Sequence, residues 1–238
     1  MDQHLNLVEA SRRLSEALAP DDLDKTLERI TAAAVEVLPD VEYASITVKH
    51  ADGRLETFAP TDQLILDLDA AQYELQEGPC YDAATETMHA AAPYLADDSR
   101  FPAYGPIAAA AGIGAQAGIR LYDSPASNGA LNLYSTRPGA FEDLTTVGQL
   151  FAHQAAVALS YARQIDQLQE AVQTRQLIGQ AVGVTMERFN LSDARAFSFL
   201  TRLSQDTNVK LRVLAQRLID DRNNPGADEF SDGPAQVL

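Results

Sequence analysis

The sequence predicts an α+β domain, an antiparallel sheet flanked by helices, joined by a long helix and coiled coil to an all-α bundle of three short helices. Three observations carry that expectation. Between residues 23 and 135 the apolar period switches repeatedly between about 3.6 and 2, so helices and strands are interspersed. From Asp143 to about Val172 a single helical pattern runs on. From Thr174 to Asp221 three apolar stripes are punctuated by Asn190-Leu191 and Thr207-Asn208; helices this short can bury their stripes only against each other.

In chain order, residues 4–19 carry Leu5, Val8, Leu14 and Leu18 at helical spacing, and Pro20 stops that helix. Asp21 or Asp22 caps the next, which runs through Leu23, Leu27, Ile30, Val35 and Leu38 to Pro39. Tyr43, Ser45 and Thr47 then alternate with Ala44, Ile46 and Val48, the pattern of a half-buried strand. Ala51-Asp52-Gly53-Arg54 reads as a hairpin turn with positive φ supplied by Asp-Gly, and Leu55 to Ala59 returns as a second strand. Thr61 to Gln76 reads as a helix stopped by Gly78-Pro79, and Cys80 to Thr87 as a short one. Strands follow at His89–Tyr94, Gly114–Tyr122 and Gly129–Ser135, with an Ala-rich segment between the first two that is helical from Pro106. The sheet should hold five or six antiparallel strands.

On the long helix, Phe151, Ala158, Tyr161, Ile165, Leu168 and Val172 fall at spacings compatible with heptad a and d positions. One reading is an amphipathic helix lying on its own domain, which covers Phe151–Leu159. The other is a parallel dimer seam over 158–175. In the bundle, Leu177, Ile178, Ala181, Val184 and Met186 form the first stripe. Ser192 caps a helix with Ala194, Phe197, Leu200 and Leu203 on one face, and Leu211, Leu214, Ala215, Leu218 and Ile219 form the third stripe. The remaining tail is rich in Pro, Gly and acid, a composition of disorder. The expected division is 1–162, a linker helix 163–174, the bundle 175–222 and a tail 223–238.

With 46% hydrophobic residues, a chain of 238 can bury the core of one domain of about 150 residues plus something small. The net charge is −16, yet residues 163–222 hold nine Lys and Arg against seven Asp and Glu. That segment is +2 and the remainder −18. A negative surface repels phosphate, so any nucleic-acid contact must use the local cations Arg175, Arg188, Arg195, Arg202, Lys210, Arg212 and Arg217. The apolar stretches are interrupted by Gly, Pro or charge, which excludes a membrane span, and no secretion signal opens the chain. One cysteine excludes an intramolecular disulfide, and the expected location is cytoplasmic.

Cys80 follows Gly78-Pro79 at an expected helix start, where the helix dipole would lower its pKa and make it a ligand or redox candidate. The competing reading is a small buried packing residue. His4, His50, His89 and His153 lack zinc-ligand spacing; His153 is either a structural histidine or, as in some haem sensors, an axial ligand. No Ser/His/Asp order, phosphate loop or HExxH motif is present, so no catalysis, metal or cofactor is expected. Gly179 and Gly183 form a GxxxG that should let another helix pack close, at about 1 kcal/mol each relative to Ala.

Arg175, Ile178, Ala181, Gly183 and Met186, followed by Ala194, Phe197, Leu200, Asn208 and Ala215, resemble an ANTAR domain, the RNA-binding module of bacterial transcription antitermination regulators. The resemblance implies binding to paired hairpin loops in nascent transcripts, usually by a dimer, through Arg175, Gln180, Ala181, Gly183, Arg188 and Arg212. Where that family often has Lys this chain has Val182, which removes a charge that could touch phosphate. Over residues 5–162 a second resemblance begins with Asp69, Gln72, Tyr73 and Glu74 leading into Glu77-Gly78-Pro79-Cys80. Asp97 ahead of Arg100-Phe101-Pro102, the run Gly129 to Tyr134, and Pro138-Gly139-Ala140-Phe141 complete it. These are similar to a GAF domain, a sensory module that encloses a pocket for a small ligand or dimerises. The acidic-aromatic signature of cyclic-nucleotide binding is absent, and a subgroup that reduces methionine sulfoxide needs a resolving thiol that a lone Cys80 lacks.

Together the resemblances imply a homodimeric, signal-responsive regulator with GAF input, coiled-coil transmission and RNA-binding output that causes transcription antitermination. The alternative is a protein-interaction adaptor whose degenerate ANTAR domain does not bind RNA, to which Val182 and the charge of −16 point.

Overall fold

Helices and strands alternate as the sequence periods require over residues 22–142 and 146–223, the part of the chain that the computed structural model describes. The helix expected over 4–19 and the tail beyond residue 223 lie outside the described residues. Helix α1 (Leu23–Val37) starts on Asp22, whose carboxylate accepts from the Lys25 amide at 3.0 Å. Strand β1 (Tyr43–His50) turns into β2 (Leu55–Phe58) through Gly53 at φ 86°; Asp52 does not share the positive φ expected of it and instead accepts from the Arg54 amide. Helix α2 (Gln63–Leu75) is capped by Asp62 and closes on Gln76 in the left-handed conformation. The short α3 (Pro79–Thr85) follows directly.

After β3 (His89–Ala92) comes α4 (Tyr104–Ala110), which begins ahead of Pro106 because Glu77 accepts from the Ala103 and Tyr104 amides at 2.9 and 3.1 Å. Strands β4 (Ala115–Asp123) and β5 (Ser127–Ser135) complete the sheet, and α5 (Thr146–Phe189), α6 (Asp193–Thr207) and α7 (Leu211–Asn223) end the described chain. The antiparallel sheet has the order β2-β1-β5-β4-β3.

The register sets Ile46 opposite Leu131 and Leu131 opposite Ile119. One face of the sheet is therefore apolar, with Ala44, Ile46, Val48, Ala117, Ile119, Leu121, Leu131 and Leu133 packed against Leu27, Ile30 and Ala34 of α1 and Phe151, Ala155 and Leu159 of α5. The other face, carrying Ser45, Thr47, Gln116, Asn132 and Tyr134, lies under α2 to α4. Strand β1 is thus not the half-buried strand its alternation suggests: Ser45 and Thr47 are as buried as Ile46, because helices cover both faces. Gly118 lets α3 lie directly on β4, since a Cβ there would stand 2.5 Å from the Pro79 carbonyl oxygen.

The chain divides into two compact units at Ile165 and Asp166, within α5. The second unit is a three-helix bundle whose core is Ala181, Val182, Ala196, Leu200, Leu214 and Ala215, ringed by Leu177, Ile178, Met186, Leu203, Leu218 and Ile219. The buried stripe of α6 therefore runs Ala196-Leu200-Leu203. Ala194 and Phe197, expected on that face, are exposed. Asn190 and Asn208, both at positive φ, end α5 and α6 where the sequence punctuation placed the breaks. Among the described residues no helix is long and apolar enough to cross a membrane.

Candidate nucleic-acid interface and buried polar centre

The polar face of the sheet and one face of α2 build a buried centre in the first unit. Asp69, Gln72 and Tyr73 sit three and four residues apart on α2 and so face the same way. Ser45 and Thr57 donate to Asp69 Oδ2 at 2.7 and 3.1 Å, Gln72 to Oδ1 at 3.3 Å, and the Tyr134 hydroxyl donates to Oδ1 as well. Asn132 donates to Ser45 and Thr47, and Tyr73 bonds both Thr47 and Thr57. None of the hydrogen bonds to Asp69 comes from a cation. Burial pushes its carboxyl up to about 6, although the bonds from Tyr134, Ser45 and Thr57 pull the other way.

Cys80 belongs to the same centre. Its amide donates to Gln72 Oε1 at 3.1 Å and its sulfur accepts from Gln116 Nε2 at 2.7 Å, while Tyr104 donates to Gln116 Oε1. The thiol is fully buried, and burial, reinforced by the Asp69 carboxylate, pushes its pKa well above the ordinary value. The expected lowering at a helix start is thus overturned, because desolvation outweighs the dipole of a seven-residue helix. The Gly-Pro-Cys run has a conformational reason: Gly78 takes φ 125°, and a Cβ on it would fall 2.1 Å from Gln72 Oε1. Sequence reasoning missed Ser45, Thr47, Gln116 and Asn132. The available signal was Asp69, Gln72 and Tyr73 on one helical face beside Ile65 and Leu68, with polar residues at every second position of a central strand. His153 is exposed on α5, neither a core histidine nor enclosed as a haem ligand would be.

On the bundle, the six residues named from the resemblance do not form one patch. Arg175 is exposed and lines a groove of about 520 Å³ with Thr174, Ile178 and Phe197. Arg212 lines another of about 430 Å³ with Leu177, Val213 and Arg217, and is paired with Glu170 at 3.5 Å. Arg188 lies thirteen residues along α5 from Arg175, about 20 Å of helix rise. Gln180 and Gly183 are exposed, whereas Ala181 is fully buried under α6 and α7, so its side chain serves the bundle core.

Nothing among the described residues lies within 4 Å of a Cβ added to Gly179 or Gly183, so the GxxxG face receives neither α6 nor α7, against the packing role expected of it. Val182 is 6% exposed in the core, and a lysine there would have to run its stem out along the helix to reach phosphate. Arg222 is held by Glu187 at 2.6 Å. Arg175, Arg188, Arg195, Arg202, Lys210 and Arg217 make no ion pair with a described residue.

Comparison with known proteins follows the same division. The family model described as GAF domain matches residues 20–160, and that described as ANTAR domain matches residues 166–219. No curated protein matches the chain. Among solved structures, the GAF domain from a phosphoenolpyruvate-protein phosphotransferase of Coxiella burnetii is similar at 16% identity over 68% of this chain and 98% of that one, with a TM-score of 0.49. Escherichia coli SdiA is similar at 12% identity over 90% of this chain and 96% of its own, with a TM-score of 0.50, a likeness of fold alone.

Proposed function

The chain belongs to the GAF domain family and carries an ANTAR domain behind it, and from that premise we propose that it binds RNA hairpin loops in nascent transcripts to cause antitermination under GAF control. At family level it is a GAF-regulated ANTAR regulator, and both domains are signalling and regulatory modules rather than enzyme families. The observation that carries the finer reading is the set of exposed guanidinium and ammonium groups on the bundle of a chain whose net charge is −16. An acidic protein that keeps six cations without an acidic partner among the described residues on one small unit has concentrated its phosphate-binding capacity there.

The reading includes a homodimer in the cytoplasm. Tyr161, Leu168 and Val172 stand exposed on α5 at heptad spacing, and a second copy would cover them in a parallel seam. A small-molecule input would act at the buried polar centre, where Asn132 Oδ1 is buried without a partner among the described residues. The adaptor reading draws on one observation, that Arg212 and Arg222 are neutralised by their own acids. Both pairs are more than half exposed, and exposed pairs contribute about 0–1 kcal/mol, so phosphate displaces them at little cost.

The test is a gel shift of the full chain with tandem-hairpin RNA at low and moderate salt. Saturable binding that weakens steeply with salt supports the proposal, and Arg175→Glu should abolish it with helicity and dimerisation unchanged. A dimeric sample that binds no hairpin at low salt would leave the adaptor reading.

A further inference from the structure

Two phenylalanines on the bundle have no structural task. Phe189 is the last residue of α5 and Phe199 lies midway along α6; their rings stand 5.5 Å apart at an interplanar angle of 44°. They are 52% and 43% exposed, and neither belongs to the apolar core of the bundle or the residues packed around it. Leaving two large rings half in water forgoes the burial that ordinarily places them inside. Their arrangement is nonetheless fixed: Asn190, at φ 51°, ends the helix immediately after Phe189, and the Leu191 amide closes the turn on the Met186 carbonyl.

The surroundings of the rings are cationic. The Arg188 guanidinium lies 5.9 Å from the centre of the Phe189 ring. On α6, Arg195 and Arg202 stand four residues before and three after Phe199, on the same helical stripe. None of the three arginines is ion-paired with a described residue. Glu187, the acid next to Arg188, is engaged by Arg222 at 2.6 Å, and Asp206 bounds the stripe one turn beyond Arg202.

We propose that Phe189 and Phe199 form a stacking platform for an unpaired base of an RNA loop, with Arg188, Arg195 and Arg202 holding the adjoining phosphates. The proposal rests on the RNA reading above and deepens it by naming a contact surface outside the Arg175 groove. Single-stranded loops are read by stacking bases on aromatic planes, and arginine supplies both phosphate contact and a planar group. A protein partner is the poorer fit. Two half-exposed rings offer little apolar area, whereas three guanidinium groups with no acidic partner among the described residues match a polyanion.

The experiment uses the full chain and a tandem-hairpin RNA enriched from a randomised-loop pool by the wild-type protein, with 2-aminopurine replacing loop adenines. Stacking on the platform changes the 2-aminopurine emission on binding. The double variant Phe189→Leu and Phe199→Leu keeps helix-forming, apolar side chains but loses both rings. It should lose that emission change and about 10- to 100-fold in affinity, with an unaltered salt slope. Arg195→Gln should instead lower the salt slope by about 0.7 with the emission change retained. If the pool yields no binder, the RNA reading fails and the platform with it. If the double variant binds wild-type-selected RNA with full affinity and emission change, the platform is wrong while the RNA reading stands. A double variant that changes sedimentation but not RNA affinity would assign the rings to a protein contact and likewise overturn the proposal.

Discussion

Asp69 holds its carboxyl in a centre to which no described residue brings a cation, and burial raises that carboxyl above the value it has in the unfolded chain. An acid raised in this way binds more protons folded than unfolded between about pH 4 and 6. Its contribution to stability is fully present below about pH 4 and is lost as pH rises through 6, amounting to about 3 kcal/mol. Urea unfolding at pH 4.5 and pH 7 should show the wild type losing stability relative to Asp69→Asn by an amount of that order; pH profiles that run parallel would place the charge elsewhere. Cys80, equally buried, should resist alkylation in the native protein and react only on unfolding. The sequence motif around Asp69 pointed to the family but not to the centre, because Ser45 and Thr47 in an alternating strand look like a solvated face until α2 is laid over them. Val182 is the reverse case: it reads as a lost charge in a motif but takes up core volume in the bundle.

At the scale of the element, α5 and the bundle helices were legible because Asn190, Ser192 and Asn208 punctuate them and the stripes keep helical period. Two details were not. Ala194 and Phe197 stand near enough in period to Leu200 to be counted with it, but a three-helix bundle buries only a narrow stripe of α6, and that stripe passes through Ala196. The GxxxG face was read as a packing surface, yet neither α6 nor α7 approaches it. Gly183→Ala should therefore stabilise the bundle by up to about 1 kcal/mol in thermal unfolding, since nothing opposes the methyl group. If the RNA backbone approaches that face, the same variant lowers hairpin affinity; unchanged affinity would move the contact away from the glycines. On the same helix Leu168 and Val172 are 67% and 66% exposed. Replacing both with Asp should shift the protein toward monomer in sedimentation equilibrium, and a wild-type protein that is itself monomeric at micromolar concentration would exclude the seam.

For the molecule as a whole, the separation of charge is the organising fact: residues 163–222 carry +2 and the rest of the chain −18. The acidic part disfavours general attraction to nucleic acid, so binding must be local, depend on few phosphates and be sensitive to salt. The fold order of the α+β unit was legible because the period switches at each strand, while the coverage of both sheet faces was not, since burial of a polar face depends on helices distant in sequence. The most direct measurement is the equilibrium affinity of the full chain for a tandem-hairpin RNA across a range of salt concentrations, with Arg175→Glu alongside. The account predicts saturable binding whose logarithm falls linearly with the logarithm of salt, by about 0.7 per phosphate contacted, and its loss in the variant. Absence of saturable binding at low salt, or affinity equal in the two proteins and indifferent to salt, would contradict it.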